Sequence, residues 1–290
     1  MRNSLFDEKE IKLNLKIIDE ECLKLVSLSV VIPCFNCEKT LIRSINSILL
    51  QEQFLPKEII LVNDCSSDNT QSVIESIKHE YPTIIKNILL QKNVGAASAR
   101  NIGLNLATSK YVALLDADDT WHHKKLLMQY TFMLNNPEVI LSGHLCAIMN
   151  EIKDNVVINN NFLVKKISKF DALIKTPFNT PTVIFQNLGF IRFPENRRYA
   201  EDANLWQNII YSNHKVVRIE CLLAFVHKPL YGANGLSSNM WQMEKGELDN
   251  FLILFHNKKI KWYELYFAVS LSIAKFIRRV VILKVKKDKK

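Results

Sequence analysis

Three carboxylates fall within four residues at Asp116-Ala117-Asp118-Asp119, directly after the apolar run YVALL. Crowding of that kind is costly without a cation, because like charges raise one another's pKa. A hard divalent ion relieves the repulsion. Mg2+ or Mn2+ is typically held by one or two carboxylates together with substrate phosphates. The same residues also read as a solvated acidic turn in which Asp119 caps the next helix. Two polar clusters follow apolar runs upstream: Pro33-Cys34-Phe35-Asn36, and Asn63-Asp64-Cys65-Ser66-Ser67-Asp68-Asn69-Thr70. A second acidic pair, Glu201-Asp202, precedes Leu205 and Trp206 at the start of a helical pattern. Two carboxylates there suit the helix dipole, and either could act as a base toward a hydroxyl within hydrogen-bond reach.

These clusters need elements to hold them. LSVVIP (28–33), EIILVN (58–63), residues 84–90 and YVALLD (111–116) have the look of short buried parallel strands. Residues 38–50, 69–80, 96–107 and 122–135 repeat at helical period between and after them. The alternation predicts an α/β fold of parallel βαβ units with right-handed crossovers. Ligands bind beyond the carboxyl ends of strands in such open sheets, so clusters that follow strands share one edge. After residue 138 the pattern loosens into hairpin strands, a helix near 200–211 and a strand near 215–226. Residues 1–26 read as an amphipathic helix that could support a dimer.

The segments VVIPCFNCEKTL, ILVNDCSSDNT, NVGAASARNIGL, YVALLDADDTW and RYAEDANLW stand in an order and spacing that resemble the family 2 glycosyltransferases of GT-A fold. The likeness runs from about Leu28 to about Ser238. It implies a Rossmann-like, mostly parallel sheet flanked by helices, and transfer of a sugar from a nucleoside-diphosphate donor, UDP above all. On that resemblance Asp64 accepts from the uracil N3–H, with Pro33 and Phe35 lining the base pocket. Asn93 and Arg100 hold the nucleotide and Asp116 touches the ribose. Asp118, with Asp119, binds Mn2+ or Mg2+ against the diphosphate. Asp202 is the base and Glu201 orients it or the acceptor. Direct attack by one acceptor hydroxyl implies inversion at the anomeric carbon.

The chain departs from the family pattern in places. Asn63-Asp64-Cys65-Ser66 stands where Asp-Asp-Gly-Ser is usual, and His123 where a proline is common. The stretch HKPLYGANGLSSN (227–239) lacks the usual Arg/His pattern over the diphosphate, leaving His227, Tyr231 and Ser237 as unassigned candidates. Without a QxxRW-type motif, single-sugar addition is expected over polymerisation. The rival reading is a noncatalytic or redox protein built on Cys34-x-x-Cys37, placed as a thioredoxin-like pair would be. That leaves the acidic motifs unexplained. No second CxxC or spaced Cys/His pair points to zinc, and neither GxGxxG nor GxxxxGK[ST] occurs. The acidic pair could serve a glycosidase, but a hydrolase needs no nucleotide pocket. His122-His123 is expected on an exposed first helical turn.

The net charge is +9 over 290 residues. Residues 256–290 hold eleven Lys or Arg against Glu264 and Asp288, so the whole excess lies there. That distribution argues against nucleic acid as partner and for an anionic membrane surface. WYELYFAVSLSIAKFIRRVVILKV (262–285) suits a helix lying in the interface, with Ser272, Lys275 and Arg279 along one basic side. The other reading is a helix packed on the catalytic domain with a solvated lysine end. No stretch reaches the roughly 20 apolar residues of a membrane span. The expected organisation is a helical extension (1–27), a GT-A domain (28–235) and a basic, membrane-facing helical segment (236–290). The expected setting is the cytoplasmic face of the cell membrane, with a glycan or lipid-linked glycan acceptor of lipopolysaccharide, lipooligosaccharide or capsule synthesis.

Overall fold

The computed structural model describes residues 26–149, 162–195, 197–227 and 239–287. The expected N-terminal helix and most of the 227–239 loop, including Tyr231 and Ser237, lie outside them. Four parallel strands form first: β1 (Leu28–Cys34), β2 (Glu58–Asn63), β3 (Ile85–Leu89) and β4 (Tyr111–Leu114). Their connections carry α1 (Leu41–Leu49), α2 (Thr70–Glu80) and α3 (Ala96–Leu106). The remaining strands are β5 (Thr120–Trp121), β6 (Val139–Ile148), β7 (Val164–Lys166), β8 (Ile184–Gln186) and β9 (Lys215–Val226). The sheet order is β3-β2-β1-β4-β8-β6-β9-β5, with β7 on β9. Chain direction in the strand order reverses between β1 and β4, which opens a crevice at their carboxyl ends.

Side-chain alternation divides the core between the two faces of the sheet. Leu28, Val30 and Ile32 of β1 join Ile45 and Ile74 of α1 and α2 on one face, while Val31 joins α3 on the other. Helix α3 lies close against the sheet because Gly103 has no side chain; a Cβ there would come within 2.4 Å of Val31 Cγ1. Helix α6 (Glu201–Tyr211) packs on the second face through Trp206, which is fully buried against the rings of Phe178, Phe185 and Phe193.

The structure differs from the sequence pattern in four places. The helix expected over 122–135 starts later. Trp121 pairs with Ala224 of β9, a turn follows, and a π-helical turn (Leu126–Tyr130) runs into α4 (Thr131–Asn135). His122 is buried there, with its amide donating to the Leu223 carbonyl; only His123 is exposed, beside Glu52 at 3.3 Å. The strands after residue 138 are not hairpins of sequence neighbours: β6 runs antiparallel to β8 and parallel to the distant β9. Finally, Ser272, Lys275 and Arg279 of α8 (Trp262–Lys287) face inward. They bond Glu244 of α7 (Met240–His256) and the Ile174 carbonyl at the end of α5 (Lys169–Ile174). Burying those polar groups together satisfies them, and it leaves the apolar side of α8 outward.

Candidate active site

The loops after β1 and β2 are stapled to each other. Asn36 Oδ1 accepts from the Ser67 amide at 2.9 Å, and the Asn36 amide donates to Ser66 Oγ at 3.0 Å. Asn36 (φ 49°) and Cys65 (φ 58°) both take left-handed backbone. For Cys65 that conformation costs about 1–2 kcal/mol that glycine would not meet. Asp64 is buried. Its Oδ1 accepts from the Val94 amide at 2.7 Å and its Oδ2 from the Gly95 amide at 2.8 Å, while Asn93 Nδ2 donates to its carbonyl at 3.2 Å. The carboxylate thus fixes the turn that launches α3, and each oxygen keeps a lone pair for a further donor. Pro33 and Phe35 flank this point, Phe35 exposing half its surface.

After β4 the acidic turn is locked by its backbone. Asp119 is buried; its amide donates to the Asp116 carbonyl and its own carbonyl accepts from Ser44 Oγ at 2.7 Å. Asp118 is partly exposed, with its carbonyl held by Arg43 Nη2 at 2.9 Å. Thr120 Oγ1 and His227 Nε2 are 2.9 Å apart beside it. Burial and Arg43 push the His227 imidazole below its ordinary value, against the pull of Asp118, so it is neutral near pH 7.

The second acidic pair starts α6 behind Ala200, itself left-handed at φ 54°. Arg100 of α3, buried under the site, joins the two acidic regions: Nη2 reaches Asp116 Oδ1 at 2.7 Å and Nη1 reaches Glu201 Oε1 at 3.2 Å. Asp202 Oδ1 accepts from the Ala203 amide at 2.7 Å, and Thr180 Oγ1 approaches Oδ2 at 3.5 Å. Burial pushes the Glu201 carboxyl up to about 7, the charge of Asp202 adding to it and Arg100 working against it. Burial also raises Asp202. Glu201, ion-paired to Arg100, and its neighbour Asp202 thus both resist ionisation.

The family model described as glycosyl transferase family 2 matches residues 29–198, more than half of the chain. The chain belongs to glycosyl transferase family 2. Among its relatives, an uncharacterized glycosyltransferase of Rickettsia bellii is 36% identical over 67% of this chain; the match spans 28% of that protein's length. The Escherichia coli enzyme WfgD, named as a UDP-Glc:alpha-D-GlcNAc-diphosphoundecaprenol beta-1,3-glucosyltransferase, is 28% identical over 85% of this chain and 94% of its own. In fold, the chain superposes on S. aureus TarS 1–349 in complex with UDP-GlcNAc with a TM-score of 0.64 at 20% identity, covering 87% of this chain and 72% of that one. It also superposes on the mannosyltransferase PcManGT from Pyrobaculum calidifontis in complex with GDP-Man and Mn2+, with a TM-score of 0.62 at 16% identity, over 86% and 73% of the two chains. The fold is GT-A.

In this family 2 domain, Pro33, Phe35, Asp64, Asn93, Asp116, Asp118 and Asp119 lie at or shortly after the carboxyl ends of the parallel strands, and Arg100 of α3 meets Glu201 at the start of α6, with Asp202 beside it. Arg100 bonds both the turn after β4 and the start of α6. Arg43, Thr180 and the Thr120–His227 pair went unassigned from the sequence, because each is brought in by a contact between distant segments. Only His227, next to the unmatched 227–239 loop, carried a signal. No three His, Cys, Asp or Glu side chains form a closed metal cage among the described residues. The acidic turn, with Asp116 and Asp118 partly exposed, fits Mn2+ or Mg2+ that takes the rest of its ligands from substrate phosphate oxygens. Cys34 and Cys37 are buried; their mutual contact pushes the Cys34 thiol well up, with burial adding to it, and the Cys37 thiol down.

Proposed function

We propose that this chain transfers one sugar, with inversion, from a UDP-linked donor to a lipid-linked glycan at the cytoplasmic face of the cell membrane, in surface-glycan synthesis of the lipopolysaccharide or capsule kind. The observation that carries the reading is the Arg100 strut. It links the β4 acidic turn, where a donor diphosphate would lie, to the Glu201–Asp202 pair at the start of α6. The name of WfgD, with its diphosphoundecaprenol-linked acceptor, supports the acceptor class.

In this reading Pro33 and Phe35 cover the base, Asp64 accepts from its N3–H, Asn93 and Arg100 hold the nucleotide, and Asp116 meets the ribose. Asp118, with Asp119 behind it, would hold the divalent ion. When bound, the ion neutralises charge developing on the leaving diphosphate. Asp202 takes the proton of the acceptor hydroxyl, whose oxygen attacks the sugar C1 from the side away from the diphosphate. Glu201, held by Arg100, orients the acceptor and keeps the proton near Asp202. His227 faces the same turn as Asp118 and contributes a neutral imidazole on the diphosphate side.

Calorimetric titration with UDP, first with Mn2+ and then with EDTA, tests the donor half. Binding that needs the metal and is lost in Asp64→Ala and Asp118→Ala is expected. Failure of UDP and of every other nucleoside diphosphate to bind would overturn the proposal.

A further inference from the structure

Helix α8 has two unlike sides. Its inward side is closed by specific contacts: Ser272 Oγ donates to Glu244 Oε1 at 2.7 Å and Arg279 Nη2 to Glu244 Oε2 at 2.8 Å, and Ala268 is buried. Its outward side carries Trp262, Tyr263, Tyr266, Ile273, Ile277, Val281 and Ile282 in the open, with Trp262 and Tyr266 each nearly three-quarters exposed. Positions 262, 266, 273, 277 and 281 fall on one face at helical spacing and span about 29 Å of helix axis. Trp241, at the start of α7, is exposed as well. Monomeric proteins rarely leave so long an apolar strip uncovered.

We infer that this face is a bilayer-docking surface, with Trp262, Tyr263, Tyr266 and the aliphatic residues seated among acyl chains and headgroups of an anionic leaflet. Charge complementarity selects that occupant. Arg278 is exposed at the flank of this face, and Lys284, Lys286 and Lys287 follow within the last turns of the helix. The one acid of the helix, Glu264, sits in its first turn and accepts from the Lys261 amide. Aromatic residues at one end and lysines at the other suit a helix lying in the interface. No described helix is long and apolar enough to cross a membrane.

The docking face is rigidly joined to the proposed base. Gly246 of α7 rests on the 199–200 turn, where a Cβ would stand 2.8 Å from the Tyr199 carbonyl oxygen. Asn250 Nδ2 donates to the Ala200 carbonyl at 2.9 Å. These contacts fix the start of α6, so α8 on a leaflet would set Asp202 at a constant height above it. The inference deepens the proposed lipid-linked acceptor and rests on that reading only for its purpose, not for the docking itself.

The test is co-sedimentation of the full chain with vesicles of phosphatidylcholine, alone or with about one third phosphatidylglycerol, for wild type and for Tyr266→Glu/Ile277→Glu. Both positions are exposed, so the fold should survive; circular dichroism and metal-dependent UDP titration check this separately. The expected result is wild-type binding that needs the anionic lipid and weakens with salt, with at least a tenfold lower partition in the double variant. Equal binding by wild type and variant, or none by wild type, overturns the inference. So does a stable dimer by light scattering that the double variant dissociates, since the face would then be a self-interface. Vesicle binding with no nucleotide binding would leave the docking face standing and sink the transferase reading instead.

Discussion

Replacing Glu201 by Gln keeps the shape of the acidic pair and removes one of its charges, which separates the two carboxyls' roles. Burial first, and the neighbouring Asp202 second, push Glu201 up to about 7. A base acts only when ionised. With Asp202 as the base, the acid limb of kcat/KM follows Asp202, so Glu201→Gln should keep transfer with its acid limb in place, while Asp202→Asn loses transfer at every pH. Stability gives an independent reading. Between pH about 4.5 and about 7 the folded protein holds a proton at Glu201 that the unfolded chain has released, so stability falls as pH rises across that window. The fall is at most about 3 kcal/mol and should be absent in Glu201→Gln, as read from urea midpoints at pH 5 and pH 8 without substrate. Parallel stability curves for wild type and Glu201→Gln would refute the argument.

Arg100→Met should destabilise the fold by about 3 kcal/mol at pH 8, because Asp116 and Glu201 lose their shared cation; the loss should shrink at pH 5, where Glu201 takes up a proton. Thermal melts at the two values measure it. Cys65→Gly should raise stability by about 0.5–1 kcal/mol, as relief of the left-handed strain outweighs the greater freedom of the unfolded chain; a lower melting temperature would contradict it. Gly246→Ala should cost about 1–3 kcal/mol by pushing on the Tyr199 carbonyl. It should lower kcat more than it weakens UDP binding, because the shift reaches the start of α6 and not the donor loops.

The parallel half of the sheet was legible because β1, β2 and β4 are short, mostly apolar runs and each crossover has helical period. The span of β2 matched to the residue, and the acidic turn fell just past β4 as expected. Legibility failed where pairing is non-local. Nothing in the sequence around His122 announces that Trp121 adds a two-residue strand to β9, or that β6 lies parallel to β9 across some 70 intervening residues. The polar side of α8 misled for a related reason. Ser272, Lys275 and Arg279 at helical spacing look like a solvated stripe until Glu244, 28 residues upstream of Ser272, is seen to receive two of them. Periodicity reports that a helix has two faces; only the partner decides which one is inside.

Part of the strained backbone gathers at the site. Of six described non-glycine residues with left-handed backbone, Gln53, Asn213 and Lys258 lie elsewhere, but Asn36, Cys65 and Ala200 lie here, with Gly95 at φ 85° among them. All four stand where a strand or loop hands over to a residue with a proposed role: Asn36 beside Phe35, Cys65 after Asp64, Gly95 at the Asp64 carboxylate, Ala200 before Glu201. Such strain persists only where surrounding contacts over-determine it. Here those contacts are visible: the Ser66 and Ser67 bonds to Asn36, the Asp64 bonds to residues 94 and 95, and the Asn250 amide on Ala200. At Ala200 the restraint comes from α7, the helix paired with the exposed α8. If α8 docks on a leaflet, the turn that aims Asp202 is braced from the membrane side. Loosening that brace at Asn250 should therefore impair transfer more than it impairs donor binding.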